Sequence, residues 1–164
     1  MKAEGIQSGC FKKIDKLALA VMIKFVLMVN KQGQTRLAKY TDNTLTNEER
    51  QVLEAEIVRK CLTRADKQCN FVEHRSFKIV YRRYASLFFL VGVDENENEL
   101  AVLEFIHCMV ETMDKWFGNV CELDIMFNIE TAHFILDEMI SNGFIVETSK
   151  AAILAPVELL DKAT

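Results

Sequence analysis

Glu104 and His107, and again Glu130 and His133, stand three residues apart. On a helix this spacing puts a carboxylate and an imidazole on one face, the way di-iron carboxylate proteins hold their metals inside a bundle. A centre of that kind needs two more helices donating glutamates inward, and the middle of this chain reads as strand. The faces also point the wrong way. Glu104, His107, Glu111 and Asp114 form a polar stripe opposite Leu103, Ile106 and Val110, and Glu130, His133 and Asp137 repeat the pattern further on. Both pairs therefore read as solvated helix faces, and neither a metal nor any other cofactor is expected.

Other chemistry is equally thin. The sequence contains no G-x-S-x-G elbow, no P-loop and no GxGxxG. Cys108 follows His107, but adjacent helical residues do not face each other, so it reads as a buried, inert thiol. His74, between Glu73 and Arg75, reads as an exposed surface histidine. Lys78, Arg82 and Arg83 alternate with apolar residues and suggest the solvated face of a strand. A phosphate or acidic-lipid contact is the alternative for these three.

Composition narrows the class. The chain has 164 residues, half of them hydrophobic and 27% charged, enough for one domain with a real core. A net charge of -4 supplies no basic field for nucleic acid. The five cysteines, Cys10, Cys61, Cys69, Cys108 and Cys121, are scattered without CxxC spacing, as in a reduced cytosolic protein. The longest apolar stretch, 17–29, is interrupted by Lys24 and is too short to span a membrane. Lys12, Lys13 and Lys16 precede apolar residues, but Ala18-Leu19-Ala20 comes too early to be a signal-peptide cleavage site.

The elements that position these residues centre on 71–93. Phe77, Ile79 and Tyr81 alternate with Lys78, Val80 and Arg82, and 85–93 is almost wholly apolar, as a doubly covered central strand should be. The turn between the two is placed at Arg83 and Tyr84. Residues 22–40 read as a hairpin with Gly33 in its turn and Ile23, Phe25, Leu27 and Val29 on one face. Thr46 and Glu49 form a capping box for a helix to about Arg64 whose apolar side includes Leu53, Ala55, Ile57 and Cys61. A second helix, about 98–117, is so broadly apolar that two layers must cover it, and Gly118 stops it. Then follow a short helical turn at 122–127, a helix capped by Asn128 and running to about Ser141, an extended 144–146, and a last helix from Ser149 that Pro156 interrupts or ends. The result is an α+β domain with antiparallel strands and helices on both faces. It occupies 22–160, after a loosely held extension over 1–21 and before a tail at 161–164.

Three long, irregular strings carry a resemblance: MIKFVLMVNKQGQTRLAKY at 22–40, NFVEHRSFKIVYRRYASLFFLVGVD at 70–94 and LEFIHCMVETMDKWFGNVCELDIMF at 103–127. They resemble the small (sigma) subunits of heterotetrameric vesicle adaptor complexes. VNKQGQTR, ENELAVLEFIH and IVETSKAAILAP look most like the branch belonging to the fourth adaptor complex. The resemblance implies a longin-like fold, a five-stranded antiparallel sheet between helices, and no enzymatic activity. It implies two large subunits and a medium subunit as partners, peripheral membrane association through that complex, and work on the cytosolic face of the trans-Golgi network and coated vesicles. It also implies a site for cargo tails with an acidic residue upstream of two leucine-like residues. Carried over by position, Ala85, Leu87, Val110, Val120 and Ile125 line the leucine pocket and Arg36 meets the acid. Read from the residues alone, Ala85, Leu87 and Val110 are ordinary core. The apolar arc around Trp116 is the candidate for docking on a large subunit. A free-standing longin-type trafficking regulator and a carboxylate-bridged metal enzyme are the alternatives.

Overall fold

The computed structural model describes residues 21–41, 43–65 and 67–163. Two apolar strands, β1 (Ile23–Asn30) and β5 (Leu87–Asp94), pair antiparallel at the centre of a five-stranded sheet. β2 (Thr35–Tyr40) flanks β1, and β4 (Phe77–Tyr84) then β3 (Phe71–His74) flank β5, giving the order β2-β1-β5-β4-β3. Alternation of side chains sends one set to each face, and each face has its own core. On one, Phe25, Leu27, Val29, Ile79, Tyr81 and Leu90 pack under α1 (Asn47–Leu62) through Leu53, Ile57, Val58 and Cys61. On the other, Val26, Met28, Val80, Phe89 and Val91 meet α2 (Glu99–Phe117), α3 (Glu122–Phe127), α4 (Ile129–Met139) and α5 (Lys150–Ala163). This is the expected α+β sandwich. The second layer over α2 is supplied by α4 and α5.

The local signals explain most boundaries. Thr46 and Glu49 form the capping box at the start of α1. Asn98 accepts from the Leu100 and Ala101 amides at the start of α2. Gly118, at φ 67°, ends it.

Several expectations need correction. Ile23 does not share a face with Phe25, because a register shift between them turns Ile23 toward the α2 side. The β4–β5 turn lies at Ala85 and Ser86 rather than Arg83 and Tyr84, with Ala85 exposed at φ 52°. Ala55 faces solvent. Asn128 does hold the N-cap position of α4, but its side chain makes no cap bond there and donates instead to the Asp124 carbonyl at the end of α3. α4 stops at Met139, and β6 (Ile140–Ser141) and β7 (Phe144–Ile145) make a small hairpin around Gly143. Pro156 lies inside α5 without ending it; the buried face of Ile153, Leu154 and Val157 holds the helix through the missing amide. α5 runs to Ala163, so it takes in much of the stretch set apart as a tail. Val21, assigned to the loose extension, is buried in the core, and the rest of that extension lies outside the described residues.

Lys78 is buried, not solvated: its Nζ pairs with Glu99 Oε1 at 2.8 Å and donates to the Glu97 carbonyl. Cys61 is buried as well, and burial pushes its thiol up to about 12, which makes it inert.

His74 is buried too, against the surface expectation, because β3 lies under α1 and brings the ring to Glu56. Nε2 stands 3.1 Å from Glu56 Oε2, which Arg75 Nη2 also approaches at 2.9 Å. Burial, and then the Lys60 charge, hold the imidazole below its ordinary value of 6.5, against the opposing pull of Glu56. The unfolded chain therefore takes up this proton first as pH falls, and stability drops on going below about pH 6.5. His74→Gln should remove that component. Urea midpoints at about pH 7.5 and about pH 5.5 check it: the wild-type loss should exceed the loss in His74→Gln.

Candidate functional site

The candidate site occupies the corner where β1 ends, β5 begins and α3 starts. Asn30, the last residue of β1, pairs with Leu87, the first of β5. Asn30 is almost fully buried and organises the turn after it: its Oδ1 accepts from the Gln32 and Gln34 amides at 3.1 and 2.9 Å. Its Nδ2 donates to Gln34 Oε1 and to Glu122 Oε1, both at 2.9 Å. Arg36 joins from β2. Its Nε donates to the same Glu122 oxygen at 2.7 Å and its Nη2 to Gln34 Oε1 at 2.9 Å. About a quarter of each side chain in this ion pair is exposed. Bonds from Asn30, and then from Arg36, hold the Glu122 carboxyl below the usual carboxylate range.

The apolar residues assigned to the leucine pocket gather beside this network but differ in access. Leu87, Val110 and Ile125 are buried in the α2-side core. Val120 is half-buried and packs on the same core, its amide fixed by Asp114 Oδ1 at 2.8 Å. Ala85 is exposed at the tip of the β4–β5 hairpin. It is therefore not part of the central strand, and its left-handed backbone comes from the tight turn. Tyr84, just before it, reaches toward His107 Nδ1 at 3.5 Å.

The two Glu-x-x-His pairs lie elsewhere and do not converge. Glu104 and Glu130 are exposed, while His107 and His133 are half-buried. His107 Nε2 meets Glu111 Oε1 on its own helix at 3.0 Å, and Glu111 also pairs with Lys150 of α5. Among the described residues, no group of three or more His, Cys, Asp or Glu gathers as metal ligands would. Cys108 donates its thiol to the Thr148 carbonyl at 3.2 Å.

Sequence reasoning passed over Asn30, Gln34 and Glu122. The first two were within reach, since an Asn opening a glycine-bearing turn commonly binds backbone amides two and four residues on. Glu122 was not, because 86 residues separate it from Arg36.

Trp116 is half-buried under α4 and α5 rather than displayed. Exposed large apolar side chains occur on α3 (Leu123, Phe127), on α4 (Phe134) and on α5 (Leu159), and also at Val52 of α1, Leu100 of α2 and Phe144 of β7. Phe127 is 79% exposed, Leu100 72% and Leu159 70%.

Comparison with known proteins matches residues 22–164 to the clathrin adaptor complex small chain family. Among curated relatives, the AP-4 complex subunit sigma of Arabidopsis thaliana is 74% identical over 141 residues, covering 86% of this chain and 98% of the relative. The human AP-4 complex subunit sigma-1 is 57% identical, covering 86% and 97%. Among solved structures, a chain in a homology model of the full-length AP-3 complex in a stretched open conformation matches with TM-score 0.70 and 32% identity, covering 87% of this chain and 95% of that one.

Proposed function

Because this chain belongs to the clathrin adaptor complex small-chain family, we propose that it is the noncatalytic sigma subunit of an AP-4-type heterotetramer, held by two large subunits and a medium subunit. The observation that carries this reading is the match to AP-4 sigma subunits over 97–98% of their length and 86% of this chain. The exposed Leu123, Phe127, Phe134 and Leu159 supply apolar surface of the kind a permanent partner covers. In this role the chain stabilises the core of the complex in protein transport from the trans-Golgi network, on the cytosolic side of the membrane. Affinity purification from cells tests it: two large chains and one medium chain should come down together with this one. Recovery of the chain free of all three would favour a free-standing longin-type regulator.

The finer reading is recognition of acidic dileucine cargo tails by Arg36, Ala85, Leu87, Val110, Val120 and Ile125. Burying two leucines contributes roughly 3–6 kcal/mol, and one partly exposed ion pair about 0–1 kcal/mol. Against the cost of ordering a tail, this gives an affinity on the order of micromolar, which membrane multivalency raises. The network around Asn30 supports the reading, because it fixes an arginine beside an apolar corner. In the assembled complex, Arg36→Glu should weaken a dileucine peptide. Unchanged binding in an intact complex would remove Arg36 from the site.

A further inference from the structure

A basic cavity of about 330 Å³ lies beyond the C-terminal end of α1, beside the part of β4 that runs past β3. Tyr81 and Phe88 in its wall pack with the α1-side core, so it sits across the sheet from Leu87, Val110 and Ile125. Two guanidinium groups are held in its lining. Arg83 Nε donates to the Ala85 carbonyl at 3.2 Å, and the head of that side chain lies 5.7 Å from the centre of the Phe88 ring. Arg64 Nη2 donates to the Cys69 carbonyl at 3.3 Å. Arg64 Nε is buried and has no acceptor among the described residues, a state that a ligand oxygen would relieve. Arg82 lines the same cavity, with its own head 6.0 Å from the Tyr84 ring. Among the described residues, no carboxylate lines the cavity and none pairs with any of these three arginines. The last carbonyls of α1 would repel an anion, but they are already answered. Arg59 O accepts from the Thr63 amide and hydroxyl, and Cys61 O from the Arg64 amide.

We propose that this cavity binds a phosphate monoester carried on a small polyol, gripped by Arg64 and Arg83, with Arg82 adding positive charge beside them. The inference does not depend on the dileucine reading above. A phosphate monoester brings close to two negative charges and three acceptor oxygens. That suits two planar donor forks better than a single carboxylate does. The volume stands at the small end of the roughly 300–1,000 Å³ of small-molecule sites, which fits one phosphorylated ring. Two sources share this chemistry, the headgroup of a phosphorylated lipid and a free polyol phosphate.

The test titrates the assembled complex with inositol trisphosphate and reads amide hydrogen exchange in this chain. In wild type the ligand should slow exchange in the loop after α1 and at 81–84. Arg64→Gln with Arg83→Gln should raise the concentration that half-protects these segments by about tenfold or more. Arg64→Lys with Arg83→Lys keeps the charge but loses the forks, and should still raise it severalfold. A second arm uses phosphatidylcholine vesicles with and without phosphatidylinositol bisphosphate. Binding to the phosphorylated vesicles that falls in the glutamine variant supports the proposal with a lipid headgroup as the source. Protection by the soluble compound, with vesicle binding unmoved by the variant, supports it with a free polyol phosphate as the source. Absence of protection in wild type overturns the proposal and needs no variant, so a misfolded variant would not shelter it. A lysine variant that matches wild type also overturns it, because a diffuse positive field would then be acting in place of the forks.

Discussion

Gly92→Ala is expected to lower the melting temperature of the chain by about 2–12 °C, corresponding to about 1–3 kcal/mol of overpacking. Gly92 lies in β5 opposite Phe25 of β1, at the centre of the sheet. A Cβ there would stand 2.2 Å from Phe25 Cζ and 2.4 Å from Cε1, inside any real contact distance. The ring cannot move aside cheaply. It is 1% exposed, meets Phe77 edge-on at 5.8 Å between centroids and leans on Tyr40 at 5.7 Å. The strand itself is held on both sides, by β1 and by β4. The partner substitution discriminates between a clash and a general weakening of the strand. Phe25→Leu alone should destabilise the chain, yet Gly92→Ala should cost much less in the Phe25→Leu background. Thermal unfolding of the four forms reads the coupling. Additive losses would mean that the ring does not set the requirement for glycine.

Val110→Asp is expected to cost about 3 kcal/mol or more and to leave little assembled complex. Val110 is 3% exposed and packs among the residues that join α2 to the sheet, so the new carboxylate would have neither water nor a partner. A loss of cargo binding in that variant would thus report unfolding, not recognition. Val120→Asp is the informative companion. The position is half-buried at the mouth of the corner, and its amide bond to Asp114 is made by backbone, which the substitution keeps. Circular dichroism and gel filtration should show Val110→Asp failing and Val120→Asp folded and assembled, with dileucine peptide binding reduced in the latter. Full peptide binding by a folded Val120→Asp complex would remove Val120 from the pocket.

The elements legible in the sequence were those whose signal is local. The period of two in β4 places Ile79 and Tyr81 on one face and Val80 on the other, and the Thr46–Glu49 box starts α1. What escaped was set by contacts between distant segments. The register shift beside Lys24 turns Ile23 over, and nothing in IKFVLMVN marks it, because the cause lies in pairing with β5. His74 looked like a surface residue between two charges until α1 covered it. Lys78 read as solvated because its carboxylate partner, Glu99, opens a helix on the other side of a turn. Pro156 looked like a stop, since local chemistry cannot weigh one lost hydrogen bond against a buried helix face. The same division runs through the candidate site. Arg36 and the apolar set entered by resemblance, whereas the carboxylate that answers Arg36 was visible only once the chain had folded.

The first strand is completed by the last third of the chain. The Ile23 amide donates to the Gly143 carbonyl at 2.7 Å, and Met22 bridges to Phe144. Its central neighbour is also distant, with Val26 opposite Val91. During synthesis at ordinary rates, β1 must therefore wait on the order of ten seconds after leaving the ribosome before its contacts exist. Throughout that interval IKFVLMVN is an uncovered greasy ribbon with only β2 beside it, the segment a chaperone would have to shield. Nascent chains halted before β5 should accumulate as sticky species, while those halted just after β7 already own every strand they need.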